Sequence, residues 1–272
     1  MEIFLKRKKY YIVLACTFAI IFGIGICYSI KGTQSLKETS ATVLSNKKIG
    51  WGIKRNDNHE RPDVGSENQR LLQENNGICL GNEEKKYIYL TFDLGYEAGY
   101  TEKILDSLKE NNVQGTFFIT AHYVNSASDI LQRMIDEGHI IGNHTVNHKS
   151  MPDLSDSEMK KEIMDLNKTV FEKYGYEMKY LRPPKGEFSQ RSLSITNSLG
   201  FRTVMWSFAY VDWNENSQPS SEEALNKIIS NLHNGEIMLL HATSKTNAEI
   251  MNQMIKEVRE QGYEFRSLDE FM

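Results

Sequence analysis

Three apolar runs in this chain stop at a residue that can carry chemistry. Tyr87-Ile88-Tyr89-Leu90-Thr91-Phe92 ends at Asp93, and Ile237-Met238-Leu239-Leu240 ends at His241. Gly138-His139-Ile140-Ile141-Gly142 runs into Asn143 and then into His144, with His148 four residues further on. Short runs that are apolar at nearly every position read as strands buried on both faces. Three imidazoles and a carboxylate therefore arrive at strand ends.

Between these runs the apolar positions recur at helical spacing. Thr101 to Asn111 places Ile104, Leu105 and Leu108 on one face, and Ser128 to Glu137 does the same with Ile130, Leu131, Met134 and Ile135 before Gly138. Ser155-x-x-Glu158 is a capping box, followed by Met159, Ile163, Leu166, Val170 and Tyr174, with Gly175 as the stop. Gly115 to Thr120 and Phe201 to Trp206 read as strands, and Ser221 to Leu232 and Thr246 to Gln261 as helices flanking the strand 236–240. Repeated strand-then-helix order predicts an α/β domain with a mostly parallel sheet. With the chemical residues just after strands, the prediction is a (β/α) barrel whose site lies at the carboxyl ends of the strands. A doubly wound open sheet is the alternative.

Tyr10 to Ile30 is 21 residues without a charge, preceded by Lys6-Arg7-Lys8-Lys9. A helix of that length spans roughly 30 Å, the hydrocarbon thickness of a bilayer, and the basic flank predicts that its amino terminus stays in the cytoplasm. The expected organisation is a basic flank and transmembrane anchor over 1–31, a linker over 32–48, an extension over 49–86 that packs on the catalytic domain, and the catalytic domain over 87–272. A cleaved signal peptide competes with the anchor, although no clear cleavage site follows the apolar stretch. The implied location is the cell membrane, single-pass, with the catalytic domain outside the cytoplasm.

The net charge of −4 conceals an asymmetry: residues 1–31 carry +4, so the remainder carries −8. An acidic body argues against nucleic acid as a partner. Cys79 is the one cysteine outside the apolar stretch, so the exported part has neither a disulfide framework nor a cysteine metal site.

Each candidate has a bland reading beside the chemical one. His144 and His148 stand one helical turn apart and can face one ion, or they are two solvated loop histidines. Asp93 after a strand is often a turn residue. Arg182-Pro183-Pro184 is a guanidinium before a stiff segment, or a surface arginine. Asp212-Trp213 is an acid before an indole, or a plain loop. His241, at the end of a fully apolar strand, is harder to dismiss, because burying an unpaired imidazole costs free energy.

Taken together, Thr91-Phe92-Asp93-x-Gly95, His144-x-x-x-His148, Arg182-Pro183-Pro184, Val211-Asp212-Trp213 and Leu239-Leu240-His241 resemble, in order, the five motifs of the polysaccharide deacetylases, carbohydrate esterase family 4. Trp51-Gly52, Lys54-Arg55, Pro62-Asp63, Tyr96-Glu97, Gly99-Tyr100-Thr101 and Ala209-Tyr210 make the chain most similar to the delta-lactam-biosynthetic de-N-acetylases of spore formers. The resemblance covers about residues 50–272. It implies a distorted, TIM-like barrel of deacetylase type. It also implies Asp93 as general base, Arg182 orienting it, His241 as general acid backed by Asp212, and His144 and His148 as ligands of a divalent metal, zinc or else manganese or cobalt. Tyr96, Glu97, Pro184 and Trp213 become substrate-binding residues by the same resemblance.

Two positions depart from the family pattern. Leu94 stands where most of the family has a metal-binding acid, so the ion should be held less tightly, and Leu94→Asp should strengthen the site. Lys185 stands where the family has an aromatic residue. The implied reaction is removal of acetyl from N-acetylmuramic acid in peptidoglycan, on the way to the muramic delta-lactam of spore cortex. The implied partners are glycan strands and the membrane, with the protein as a monomer. A deacetylase of N-acetylglucosamine in peptidoglycan or chitooligosaccharides, and a non-catalytic carbohydrate-binding protein on the same scaffold, are the competing readings.

Overall fold

In the computed structural model, which describes residues 44–214 and 216–271, the long apolar runs become the central strands of a curled, seven-stranded parallel sheet. The strands, in chain order, are β1 (Ile49–Gly50), β2 (Tyr87–Leu94), β3 (Thr116–Ile119), β4 (Ile140–Asn143), β5 (Tyr180–Leu181), β6 (Glu187–Phe188), β7 (Arg202–Thr203), β8 (Glu236–His241) and β9 (Glu264–Phe265). The large sheet runs β7-β5-β4-β3-β2-β8, and β9 also pairs with β2. β1 and β6 form a separate antiparallel pair.

Strand alternation divides the interior into two cores. On β2, Ile88, Leu90, Phe92 and Leu94 face the main core, shared with the helices Thr101–Glu110, Asp156–Tyr174 and Lys245–Glu260. Tyr89 faces the other way, into a second cluster with Phe118, Ile140, Tyr180, Val204, Ile237 and Leu268. This second cluster fills the concave side of the sheet. Thr91 and Asp93 share Tyr89's face, so the residue that ends the apolar run points into the concavity above a packed floor.

The strand expected over 201–206 is regular only at Arg202–Thr203. Beyond it the backbone changes partners. Val204 N–H donates to Leu181, Met205 N–H to Ile78, and Ser207 N–H to Ile237, so this stretch crosses from β5 toward β8, where Phe208 bridges to Met238. A segment that serves three neighbours in turn cannot keep one ladder. The observed sheet is thus a curled half-barrel whose open side is spanned by irregular chain.

The helix Asp156–Tyr174 has the capping box at Ser155 and Glu158 and the left-handed Gly175 that the sequence announces. The extension over 49–86 packs through Trp51, Val64, Leu71 and Leu72 against Phe188, Leu193 and Met205. The expected linker over 32–48 lies outside the described residues as far as 43, but Ser45 and Asn46 are already tied to the domain. Arg191 N–H donates to Ser45, and Asn46 Nδ2 donates to the Pro152 carbonyl at 2.9 Å. Among the described residues no helix is long and apolar enough to cross a membrane. The expected span Tyr10–Ile30 lies outside them.

Leu94 is fully buried in the main core and is absent from the cleft lining. A carboxylate there would face apolar side chains, which overturns the expectation that Leu94→Asp strengthens a metal site. The substitution should cost at least about 3 kcal/mol, from lost packing and a buried acid. Its thermal midpoint should fall by roughly 6 °C or more, and calorimetry of the two proteins checks this. An unchanged midpoint would mean that the position faces solvent or the cleft.

Candidate active site

The parallel register sets the chemical residues side by side. Asp93 pairs with His241 across β2 and β8, and Asn143 on β4 pairs with Leu181 on β5. His144 and Arg182 are the next residues after those two strand ends, so all four converge on the carboxyl edge of the sheet. Asp93, His144 and His241 line a cleft of about 1220 Å³, together with His148, Tyr96, Trp206 and Trp213, and Arg182 lies buried behind Asp93.

Arg182 is completely buried, and each of its guanidinium nitrogens has a partner. Nη1 donates to Asp93 Oδ1 at 2.8 Å, Nη2 to Thr91 Oγ1 at 2.9 Å, and Nε to the Val204 carbonyl at 3.2 Å. Thr91 passes its own proton to the Met238 carbonyl at 2.7 Å. The guanidinium lies over the Phe118 ring, 4.2 Å from its centroid. Gly142 makes this possible, because a Cβ there would sit 2.4 Å from that ring. Burial alone would raise the Asp93 carboxyl, but above all the charge of Arg182 holds it below the ordinary carboxylate value.

The two histidines of the pair meet through a tight loop, and not through a helical turn as their spacing suggests. Thr145 and His148 are both left-handed, at φ 67° and 53°. Glu162 on the long helix holds the loop, accepting from Asn147 N–H at 2.7 Å and from Asn147 Nδ2 at 2.6 Å. His144 Nδ1 donates to the Arg182 carbonyl at 2.8 Å, which leaves Nε2 with its lone pair. That Nε2 lies 3.1 Å from His148 Nε2 and 3.5 Å from Asp93 Oδ2. Desolvation lowers both imidazoles, His144 to about 4, so both are neutral at neutral pH. Two neutral imidazole nitrogens facing one another beside a carboxylate fit a divalent cation. Among the described residues no group of three or more His, Cys, Asp or Glu side chains is arranged to hold one. The protein supplies two imidazoles, and the third ligand, an acid in most of the family, is missing where Leu94 turns into the core.

Across the cleft, His241 Nδ1 donates to Asp212 Oδ1 at 2.7 Å, and its backbone N–H donates to Oδ2 at 2.7 Å. Burial pulls the imidazole pKa down, yet the bond to Asp212 and its charge outweigh this and raise it above the ordinary value. Nε2 is left to face the cleft. Asn247 donates from Nδ2 to Asp212 Oδ2 at 2.6 Å and to the His241 carbonyl at 3.1 Å, and is itself held by the Tyr210 hydroxyl. Thr91, Asn247, Tyr210 and Glu162 were not among the candidate site residues read from the sequence, because each acts by holding another residue, although Thr91 and Tyr210 lie within the quoted motifs.

A family model for polysaccharide deacetylase matches residues 80–204. The chain is 43% identical over 233 residues to the peptidoglycan-N-acetylmuramic acid deacetylase PdaA of Bacillus subtilis, covering 85% of this chain and 89% of that one. The chain belongs to the polysaccharide deacetylase family, carbohydrate esterase family 4. The solved structure of B. subtilis PdaA superposes with a TM-score of 0.82, covering 84% of this chain and 98% of that one. A family 4 carbohydrate esterase from Bacillus anthracis, 42% identical, does so with a TM-score of 0.72 over 85% and 98%. A peptidoglycan-N-acetylglucosamine deacetylase of Bacillus cereus is 31% identical over 69% of each chain.

Two of the four expected substrate-binding residues line the deacetylase cleft and two do not. Tyr96 and Trp213 line it, and both are well exposed. Glu97 is occupied instead at the start of the helix Thr101–Glu110. Its Oε1 accepts from the N–H groups of Gly99, Tyr100 and Thr101, and its Oε2 accepts from the Tyr123 hydroxyl. A carboxylate with four donors has no capacity left for a sugar. Pro184 is buried in the turn that carries Lys185 and Gly186 into the cleft wall.

The His241–Asp212 pair generates a pH prediction. A general acid must be protonated, so activity falls as pH rises through the His241 pKa. In Asp212→Asn the interaction that raises that pKa is weakened and desolvation remains. The alkaline limb of the kcat/KM profile should therefore move to lower pH, and a pH–rate profile of the variant that keeps its limb in place would remove His241 from this role.

Proposed function

We propose that the protein hydrolyses the N-acetyl group of N-acetylmuramic acid in peptidoglycan. The reading rests above all on the opposed pairs Asp93–Arg182 and His241–Asp212, placed side by side by the β2–β8 register. The 43% identity to PdaA supports this substrate. The released amine can then condense with the lactyl carboxyl, with loss of water, to give the muramic delta-lactam, and we assign this product to spore cortex on the resemblance to the delta-lactam subgroup.

Amide hydrolysis needs an activated water, a stabilised oxyanion and a protonated leaving amine. Asp93, kept ionised by Arg182, takes the proton of the attacking water. His241 donates from Nε2 to the departing nitrogen, and Asp212 stabilises the imidazolium before that transfer. His144 and His148 are the residues that would hold a divalent ion. Zinc suits the two imidazoles, with manganese or cobalt as alternatives, and the ion when bound acts as a Lewis acid toward the carbonyl oxygen and the water. Tyr96 and Trp213 offer exposed ring faces to the sugar. The apolar stretch Tyr10–Ile30 would confine the enzyme to glycan near its own membrane, and fractionation with an antibody to the carboxyl terminus tests that anchor.

Acetate release from purified muropeptides, with mass spectrometry to show which sugar loses its acetyl group, tests the reaction. Asp93→Asn should lose about 10²–10⁴-fold in turnover while keeping its fold, because an amide cannot accept the water proton. Near wild-type acetate release by that variant, or deacetylation confined to N-acetylglucosamine, overturns the assignment. His144→Ala and His148→Ala should each lower both bound metal and activity. Unchanged metal content in both would make the imidazoles structural.

A further inference from the structure

The two acids of the site each have a basic partner, and one further cation of the cleft does not. Asp93 is balanced by Arg182, and Asp212 by protonated His241. Lys185 also lines the cleft, is exposed, and among the described residues forms no ion pair. The acid whose field it feels, Asp153, is already held by Lys48 at 2.6 Å. Lys185 lines the same cleft as His148, Asp93 and His241. An ammonium with no ion pair among the described residues therefore shares the cleft in which the acetamido group must lie.

Its position is built with some care. Lys185 adopts a left-handed backbone, φ 60° and ψ 8°, which a non-glycine residue takes up only at a cost. Pro183 and Pro184 stiffen the chain before it. Gly186 follows, also left-handed, in a space where a Cβ would lie 2.8 Å from Trp206 and 3.2 Å from Trp51. The turn is thus pressed against an aromatic wall, and Lys185 is presented to the cleft from a strained and fixed backbone.

The reading of the protein as a muramic acid deacetylase underlies the next step. N-acetylmuramic acid differs from N-acetylglucosamine by a lactyl ether on O3, the position next to the acetamido carbon, and that ether ends in a carboxylate. We propose that Lys185 determines specificity by pairing its ammonium with the lactyl carboxylate of the muramoyl residue being deacetylated. The pair would form in a cleft whose two acids, Asp93 and Asp212, already have partners, so that a neutral sugar leaves the ammonium unanswered.

The test compares two glycan substrates, one with free lactyl carboxylates and one with the same carboxylates converted to methyl amides. Acetate release is measured with wild type, Lys185→Met and Lys185→Arg. Wild type should prefer the carboxylate substrate in kcat/KM by about tenfold or more, mainly through KM. Lys185→Met, which keeps most of the stem and loses the charge, should bring that ratio near one, and Lys185→Arg should restore the preference. A ratio that survives in Lys185→Met, or one that Lys185→Arg fails to restore, overturns the proposal even though muramoyl deacetylation continues. Wild-type release of acetate from N-acetylglucosamine oligomers but from neither muramoyl substrate overturns the muramic reading itself, and the role of Lys185 with it.

Discussion

A guanidinium removed entirely from water is the constraint around which the site is organised. Leaving such a charge unpaired in the interior would cost several kcal/mol, so the fold must bring partners to it. Arg182 follows β5, and its partners come from β2 and from the irregular chain after β7, while its aromatic support comes from β3. Four parts of the sheet are thereby fixed against one another. The carboxylate of Asp93 is held in one orientation and one charge state by the same contacts. Even the tautomer of His144 is set from this residue, through the Arg182 carbonyl. Satisfying one buried charge and fixing the Asp93 carboxylate are a single structural event.

Much of this was legible in the chain because parallel strands buried on both faces write themselves as unbroken apolar runs. Asp93 and His241 stand out where those runs stop, and the long helix stands out because Ser155, Glu158 and Gly175 punctuate it. The helices Ser66–Glu74 and Gln190–Ser198 were not legible. Each is nine residues with few apolar positions, and packing of Leu71, Leu72 and Leu193 on the extension's core decides them. β5 and β7, two residues each, are too short to show a period.

The site was legible to the extent that its residues carry motifs, and it went astray where motif neighbours were assumed to share a task. Glu97 follows Tyr96, yet it caps a helix while Tyr96 meets the cleft. Leu94 follows Asp93, and strand alternation sends the two side chains to opposite faces, one to the core and one to the reaction. Positioning residues such as Asn247 and Glu162 escape any reading of the chain alone, and Thr91, though inside a motif, shows its task only in its contact. Their meaning lies in which atoms they touch, and those contacts span 35, 15 and 91 residues.

The chemistry then follows from how two ion pairs are housed. Both contain one fully buried member, but the buried member is the cation in one and the anion in the other. Beside buried Arg182, the more accessible Asp93 is driven to stay ionised. Beside buried Asp212, the more accessible His241 is driven to stay protonated. Opposite arrangements of the same interaction thus push a carboxyl and an imidazole apart in pKa, which is the condition for one to take a proton while the other gives one. The register of β2 and β8 sets these two groups on neighbouring strands, about 4.8 Å apart at the backbone, so that both reach one reacting centre. A register slip of a single residue would turn one of them into the core, which is why the unbroken apolar runs beneath them matter as much to the reaction as the two side chains do.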